Sequence, residues 1–214
     1  QEGALRLLDE AEFKAAEVVP FAKESLESPK TNMAIKEELV IFLGKVQSQD
    51  SKGVLLNIFK DEGENVTLRA FAVNSLAKLG AKDAAPDIKD IINTIESYDL
   101  KKRKKYHTLH LYSIAALATL GDPVAIPKLI NALRNNSAQV RLKAISLIKE
   151  FKDKRTIDIL KYKMKNDQST KVRSAARKAL KDMGVEVGED PDESKKDAAK
   201  KDDLKQNDAK KKNK

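Results

Sequence analysis

Val140-Arg141-Leu142-Lys143-Ala144-Ile145-Ser146-Leu147-Ile148-Lys149-Glu150-Phe151 is the stretch that decides how this chain is read. It returns 32 residues later as Val172-Arg173-Ser174-Ala175-Ala176-Arg177-Lys178-Ala179-Leu180-Lys181-Asp182-Met183, closed by Gly184. Each copy opens with an apolar residue and an arginine, continues to an alanine, and ends on two larger apolar residues. Positions i, i+4, i+8 and i+11 form one stripe of an α-helix. A helical unit recurring at this period marks a solenoid, in which each unit buries its apolar face against the next.

Laid along the chain, the same pattern falls on Leu68, Arg69, Ala72, Leu76, Leu79 and Gly80, and again on Leu109, His110, Ser113, Leu117, Leu120 and Gly121. A small residue at the centre lets a paired helix approach closely. Glycine after the last apolar residue suits the left-handed backbone that ends a helix. Lys152 stands where glycine is expected, so a differently built corner is expected there. Each first helix is followed by a second with its own stripe: Ala85, Ile88 and Ile92; Ile126, Leu129 and Leu133; Ile157, Leu160 and Met164. Pro86 and Pro127 fall near the starts of these helices, where a missing N–H costs least.

Towards the N-terminus the register loosens. Anchoring Gly44 on Gly80 ends a helix near 32–43 at Gly44 and puts Lys36 at the small-residue position; the partner helix carries Val54, Leu55, Ile58 and Phe59. Residues 1–31 read as N-terminal cap helices, with Pro20 starting a new segment and Ser28-Pro29 marking a break.

The motif apolar-Arg-x-x-Ala-x-x-x-Leu-x-x-Leu-Gly, followed by Ala-x-Pro-x-Leu/Ile, resembles HEAT-like repeats of the phycobilisome-lyase type, over roughly 32–184 and most clearly over 65–184. The resemblance implies an all-α fold, a right-handed α-solenoid of about five stacked helix pairs spanning 1–184. It implies that Arg69, Arg141 and Arg173 are structural, linking neighbouring repeats through carboxylates or helix-end carbonyls, and that His110 weakens this link at its own repeat. It also implies use in protein–protein contact, although a fold does not fix a function.

Composition narrows the functions open to the chain. There is no cysteine, which excludes disulfides, zinc–thiolate sites and cysteine catalysis. No apolar run approaches the ~18 residues that span a bilayer. The chain begins at Gln1 rather than Met; a removed signal peptide would explain this, and the reading leans towards an exported, periplasmic bacterial protein, with cytoplasmic placement as the alternative. No phosphate-cradling loop, dinucleotide fingerprint, Gly-x-Ser-x-Gly elbow or His-Glu-x-x-His motif occurs, and the chain is read as not an enzyme, with no cofactor. His107 and His110 are the only histidines, three apart, and lack the third ligand a zinc site needs, so no metal is expected.

Charge is distributed unevenly. Residues 1–98 hold 12 basic and 17 acidic residues, 99–185 hold 21 and 7, and 186–214 hold 9 of each. The basic half is a candidate electrostatic surface. Residues 185–214 read as a charged, disordered tail, because they offer little apolar surface to bury.

The spacing exposes one irregularity. Leu68 to Leu109 is 41 residues, against 31 from Leu109 to Val140. The insertion, at 97–106, carries Lys101, Lys102, Arg103, Lys104 and Lys105 between Tyr98 and Tyr106. Adjacent cations attract phosphates, an acidic protein or anionic lipid; the plainer reading is a solvated charge run at the end of a long helix. A second basic group includes Lys161 and Lys165, four apart on one helical face, and there too the plainer reading is the polar face of an amphipathic helix. Lysines outnumber arginines 34 to 8, which favours diffuse charge over base readout.

The residues therefore point to a non-catalytic protein–protein interaction scaffold. Its basic insertion and basic C-terminal half, with Lys101–Lys105, Lys161 and Lys165 as the binding candidates, would engage a protein partner bearing an acidic surface. The alternative is a non-specific nucleic-acid binder: alkylpurine DNA glycosylases share the repeat type, but this chain has no tryptophan, and no aromatic and carboxylate constellation for catalysis is evident. A lyase accessory acting on bilin-bearing proteins is suggested by the name of the repeat alone.

Overall fold

A computed structural model describes residues 15–188, without the side chains of residues 15, 16 and 151. Every regular element among the described residues is helical. In order they are α1 (Ala15–Glu27), α2 (Met33–Lys45), α3 (Lys52–Lys60), α4 (Val66–Lys78), α5 (Ala85–Ser97), α6 (Leu100–Lys105), α7 (His107–Thr119), α8 (Ala125–Ala132), α9 (Ala138–Phe151), α10 (Ile157–Asn166) and α11 (Thr170–Asp182). Short 3-10 turns at Gln49–Ser51, Lys82–Ala84 and Lys154–Thr156 lead into α3, α5 and α10. Among the described residues no helix is long and apolar enough to cross a membrane. The chain divides into two compact units, Gln1–Ala132 and Leu133–Lys214. The expected tail falls mostly on 189–214, and part of the expected N-terminal cap on 1–14; both lie outside the described residues.

In the first unit α4 packs between α2 and α7, with α3 against α4, and α5 and α8 against α7. Its stripe buries Leu68, Ala72 and Leu76 of α4 and Leu109, Ser113 and Leu117 of α7. Each fully buried leucine stabilises the stack by about 1.5–3 kcal/mol relative to exposure. Phe71 meets Tyr112 edge to face, ring centroids 5.9 Å apart. In the second unit α11 packs on α9 and α10, burying Ala144 and Ile148 of α9, Leu160 of α10, and Val172, Ala176 and Leu180 of α11.

Helix starts follow local chemistry. The side chain of Asn32 accepts from the Ile35 N–H at 2.9 Å, and that of Asn65 from the Thr67 N–H at 2.8 Å, each satisfying an orphan donor of the first turn. Helix ends depend on left-handed residues. Gly80, Gly121 and Gly184 have φ of 69°, 91° and 76°. Past each, the next N–H turns back to a carbonyl five residues earlier: Ala81 to Leu76, Asp122 to Leu117 and Val185 to Leu180.

The corner at Lys152 is built differently from the glycine corners, as expected: Lys152 caps the helix directly in the left-handed conformation, at φ 48° and ψ 39°, and its own N–H bonds the Ile148 carbonyl at 3.2 Å. Two sequence expectations need correction. Gly44 does not end its helix. α2 continues to Lys45, and the left-handed residue is Gln47, φ 51°. Gly44 is buried because α4 crosses there: a Cβ on it would lie 2.4 Å from Ser75 Oγ and 2.9 Å from Ser75 Cα. The contact is fixed by Ser75 Oγ donating to the Val40 carbonyl at 2.8 Å. Aligning Gln47 with Gly80 moves Lys36 into the slot that Arg69 fills. Finally, Pro20 does not open a new segment, since α1 runs through it to Glu27.

Candidate functional site: the inserted basic helix and the arginine slot

The recurrent arginines turn inward. Arg69 Nε donates to the Phe59 carbonyl at the end of α3, at 2.9 Å. Arg141 grips the Asp167 carboxylate with Nε at 2.9 Å and Nη2 at 2.7 Å, and its Nη1 reaches the carbonyls of Asn135 and Asn136. Arg173 Nη1 donates to the Asp167 carbonyl at 3.0 Å. Each guanidinium thus satisfies carbonyls that a helix end or the following turn leaves orphaned. Burial alone would raise the Asp167 carboxyl, but hydrogen bonds from Arg141, the Ser169 N–H and Lys163 outweigh it and hold it below the ordinary carboxylate range. These arginines are structural, as the resemblance implied.

In the slot between Arg69 and Arg141, His110 replaces arginine, and the sequence alone missed the consequence. His110 Nε2 lies 3.1 Å from Glu96 Oε1, and Lys128 Nζ donates to both oxygens of Glu96, at 2.6 and 2.9 Å. Burial raises the Glu96 carboxyl, while Lys128 and His110 lower it further, leaving it below its usual value. Burial also lowers His110, against the opposing pull of Glu96. Neutral His110 is then the donor, and Glu96 the shared acceptor. His107 is likewise lowered by burial, then by His110, and its Nε2 is buried with no hydrogen-bond partner.

The missing guanidinium is supplied by the insertion. Arg103 Nη2 donates to the carbonyls of Glu96 and, at 3.0 Å, Tyr98, where α5 ends. Arg103 sits seven residues, two helical turns, before His110 and performs the capping the arginine slot performs elsewhere. The signal in the sequence was the pairing of a vacant arginine slot with an arginine at that offset.

The remaining cations of the insertion stand on α6. This is a separate short helix, not the end of a long one, capped by Asp99 accepting from the Lys102 N–H at 2.8 Å. Lys102 Nζ lies 3.7 Å from the centroid of the Tyr98 ring, and Lys105 Nζ 5.7 Å from that of Tyr106. The two tyrosines lean on each other with centroids 5.3 Å apart, forming a floor that holds Lys102 by cation–π attraction. Lys101, Lys104 and Lys105 are exposed beside Leu100, which is 77% exposed. No ion pair joins Lys101 or Lys104 to a described residue. Other surface lysines pair across neighbouring repeats: Lys52 with Asp83, Lys60 with Asp87, Lys89 with Asp122 and Lys149 with Asp182.

The candidates therefore sort by role. Lys101, Lys104 and Lys105 are presented outward, Lys102 is held on Tyr98, and Arg103 is engaged in capping. Lys161 and Lys165 belong to the second unit, both exposed on α10 with Tyr162, 58% exposed, between them; their neighbour Lys163 is drawn to Asp167 at 3.2 Å. Among the described residues no group of three or more His, Cys, Asp or Glu could hold a metal ion.

Residues 108–186 match the family of HEAT repeats. No curated protein matches the sequence. Among solved structures, the complex of CpcE and CpcF of phycocyanin lyase from Nostoc sp. PCC7120 superposes at TM-score 0.48 and 20% identity, covering 77% of this chain and 64% of that one. The alignment thus spans less than two thirds of that protein. Human deoxyhypusine hydroxylase, in complex with glycerol, superposes at TM-score 0.32 and 13% identity, covering 78% and 84%. Neither likeness is close enough to bear on function. The described helix pairs are those of an all-α, HEAT-like repeat solenoid, and residues 108–186 match the HEAT-repeat family.

Proposed function

We propose that this chain is a non-catalytic protein–protein interaction scaffold whose inserted helix α6 docks a protein partner through an acidic segment. HEAT-repeat folds typically serve as interaction scaffolds. The observation that carries the finer reading is the contrast within the first unit. Its described arginines, Arg69 and Arg103, donate to backbone carbonyls, and Lys52, Lys60, Lys89 and Lys128 pair with carboxylates, whereas Lys101, Lys104 and Lys105 face outward from a helix set on a tyrosine floor. Tyr98, Tyr106 and exposed Leu100 add apolar surface beside the charge, which suits a peptide better than a bare polyanion. Rim charge of this kind sets association rate and salt sensitivity.

Nucleic acid is the competing occupant. Base reading leans on arginine's planar fork, and of the eight arginines Arg69, Arg103, Arg141, Arg155 and Arg173 all donate to groups within the chain. At α6 the outward cations Lys101, Lys104 and Lys105 are lysines, whose charge is diffuse.

The test replaces Lys101, Lys104 and Lys105 by glutamine in the full chain and leaves Lys102 and Arg103 intact. Fluorescence anisotropy then follows a labelled polyglutamate peptide and, separately, a single-stranded oligonucleotide across a salt series. At about 0.5 kcal/mol per exposed pair, three lost pairs weaken peptide binding roughly tenfold, with unchanged helicity. Unchanged peptide binding, or tighter binding of the oligonucleotide than of the peptide, would refute the proposal.

A further inference from the structure

Two corners of the first unit share one edge and carry opposite charge. The Gln49 side chain donates to the Leu79 carbonyl at 3.0 Å and Lys52 pairs with Asp83, so the ends of α2 and α4 lie side by side. Lys89, early in α5, pairs with Asp122 just past α7, which brings the ends of α4 and α7 together in the same way. The starts of α4 and α7 therefore share the opposite edge, roughly 8–10 Å apart at the axes of packed helices. Before α4 stands the turn Asp61-Glu62-Gly63-Glu64, three acids with no base; before α7 stands α6.

The acidic turn is held in shape by its own backbone. Asp61 Oδ1 accepts from the Gly63 N–H and Glu64 Oε1 from the Asn65 N–H, both at 2.8 Å, and the Glu64 N–H returns to the Asp61 carbonyl at 3.2 Å. Asp61 and Glu62 are exposed and Glu64 partly so. Among the described residues no cation pairs with these acids, although three exposed lysines stand one repeat away. An acidic patch beside a basic one is complementary to a copy of itself turned through a two-fold rotation, which matches both patches at once. A partner acidic throughout would match α6 and be repelled by the turn.

We propose that the acidic segment docking on α6 is the 61–64 turn of a second copy of this chain. In the resulting two-fold dimer, Asp61, Glu62 and Glu64 of each copy face Lys101, Lys104 and Lys105 of the other. The inference rests on the reading of α6 as a helix that docks acidic segments, and names its partner. The patch is small and charged, so the dimer is weak and forms only at high chain concentration.

Sedimentation velocity of the full chain over a concentration series tests it. In low salt the mass rises from one chain to two and stops there; in ~0.5 M salt, which shortens the screening length to a few ångström, it stays at one. Asp61→Asn, Glu62→Gln and Glu64→Gln together keep the acceptor oxygens of the turn but remove the charge from both halves of the contact. The dimer dissociation constant then rises roughly hundredfold, the square of the tenfold for one set of three pairs. A Glu62→Lys/Glu64→Lys chain and a Lys101→Glu/Lys104→Glu/Lys105→Glu chain each stay single, and pair when mixed. A chain that is single at every concentration, a mass that climbs past two, or a neutralised chain that dimerises like wild type would overturn the proposal. The polyglutamate peptide separates this from the reading beneath it: a chain that binds the peptide and never dimerises loses only the dimer, whereas one that does neither loses both.

Discussion

Replacing Arg141 by methionine keeps most of the side-chain volume and removes the charge. Arg141 and Asp167 are 9% and 2% exposed at the side chain, and two of the four hydrogen bonds from the guanidinium go to that carboxylate. The variant leaves Asp167 buried with the Ser169 N–H at 3.0 Å and Lys163 Nζ at 3.2 Å as its remaining donors. Breaking a buried pair on one side costs about 3–5 kcal/mol, and the retained lysine places the expected loss near the low end, at about 3 kcal/mol. Two other variants calibrate it. Arg69→Met loses a single bond to a neutral carbonyl, about 1–2 kcal/mol. Lys149→Met loses an exposed pair with Asp182, at most about 1 kcal/mol. Urea unfolding of the full chain, followed by far-ultraviolet circular dichroism, reads the order Arg141 > Arg69 > Lys149. The sign with pH is also fixed. Asp167 is held below its ordinary 3.8, so its contribution is complete above that value and disappears as pH falls through the folded value. The gap between wild type and Arg141→Met therefore narrows only below pH 3.8. An Arg141→Met chain as stable as the Lys149→Met chain would refute the structural role of the slot.

Other variants probe the corners and the histidines. Gly44→Ala forces a Cβ into Ser75, whose Cα is too near to move aside, and lowers stability by about 1–3 kcal/mol in the same urea assay. Lys152→Gly releases a left-handed lysine and raises stability by up to about 1 kcal/mol, whereas Gly121→Ala lowers it by about 1 kcal/mol. His107 and His110 both lie below their ordinary 6.5 when folded. The unfolded chain then takes up protons first, and stability falls as pH drops below 6.5. Urea midpoints measured from pH 7 to 5 should slope downward in the wild type and flatten in a His107→Gln/His110→Gln chain. Glu96, ordinarily at 4.5 and held lower, loses its contribution only below that window.

The solenoid was legible because burial imposes a period, and a period survives substitution. Val140, Leu68 and Leu109 kept the same offsets to small central residues whatever the surface residues did. Corners were less legible, since a left-handed residue is favoured in glycine but not confined to it: Lys152 and Gln47 adopt it where the surrounding helix ends require it. Gly44 misled the register for the opposite reason, its missing side chain serving the approach of α4 rather than a turn. At the insertion, the run of five cations was visible in the sequence, but their division of labour was not. Arg103 is drawn inward by carbonyls at the end of α5, and backbone carbonyls leave no mark in a sequence. Tyr98 and Tyr106 flank the run, and only the short helix between them shows that they form its floor.

If α6 is where the scaffold meets an acidic partner, while the arginine slots hold the fold, an acidic ligand should protect α6 and little else. Hydrogen–deuterium exchange of the full chain with and without a short polyglutamate peptide tests this in one measurement. Exchange is expected to slow only over residues 98–107, and the protection to be lost in the Lys101→Gln/Lys104→Gln/Lys105→Gln chain. Slowed exchange on α9–α11 with none at α6, or no change anywhere at a peptide concentration that saturates the anisotropy signal, would contradict it.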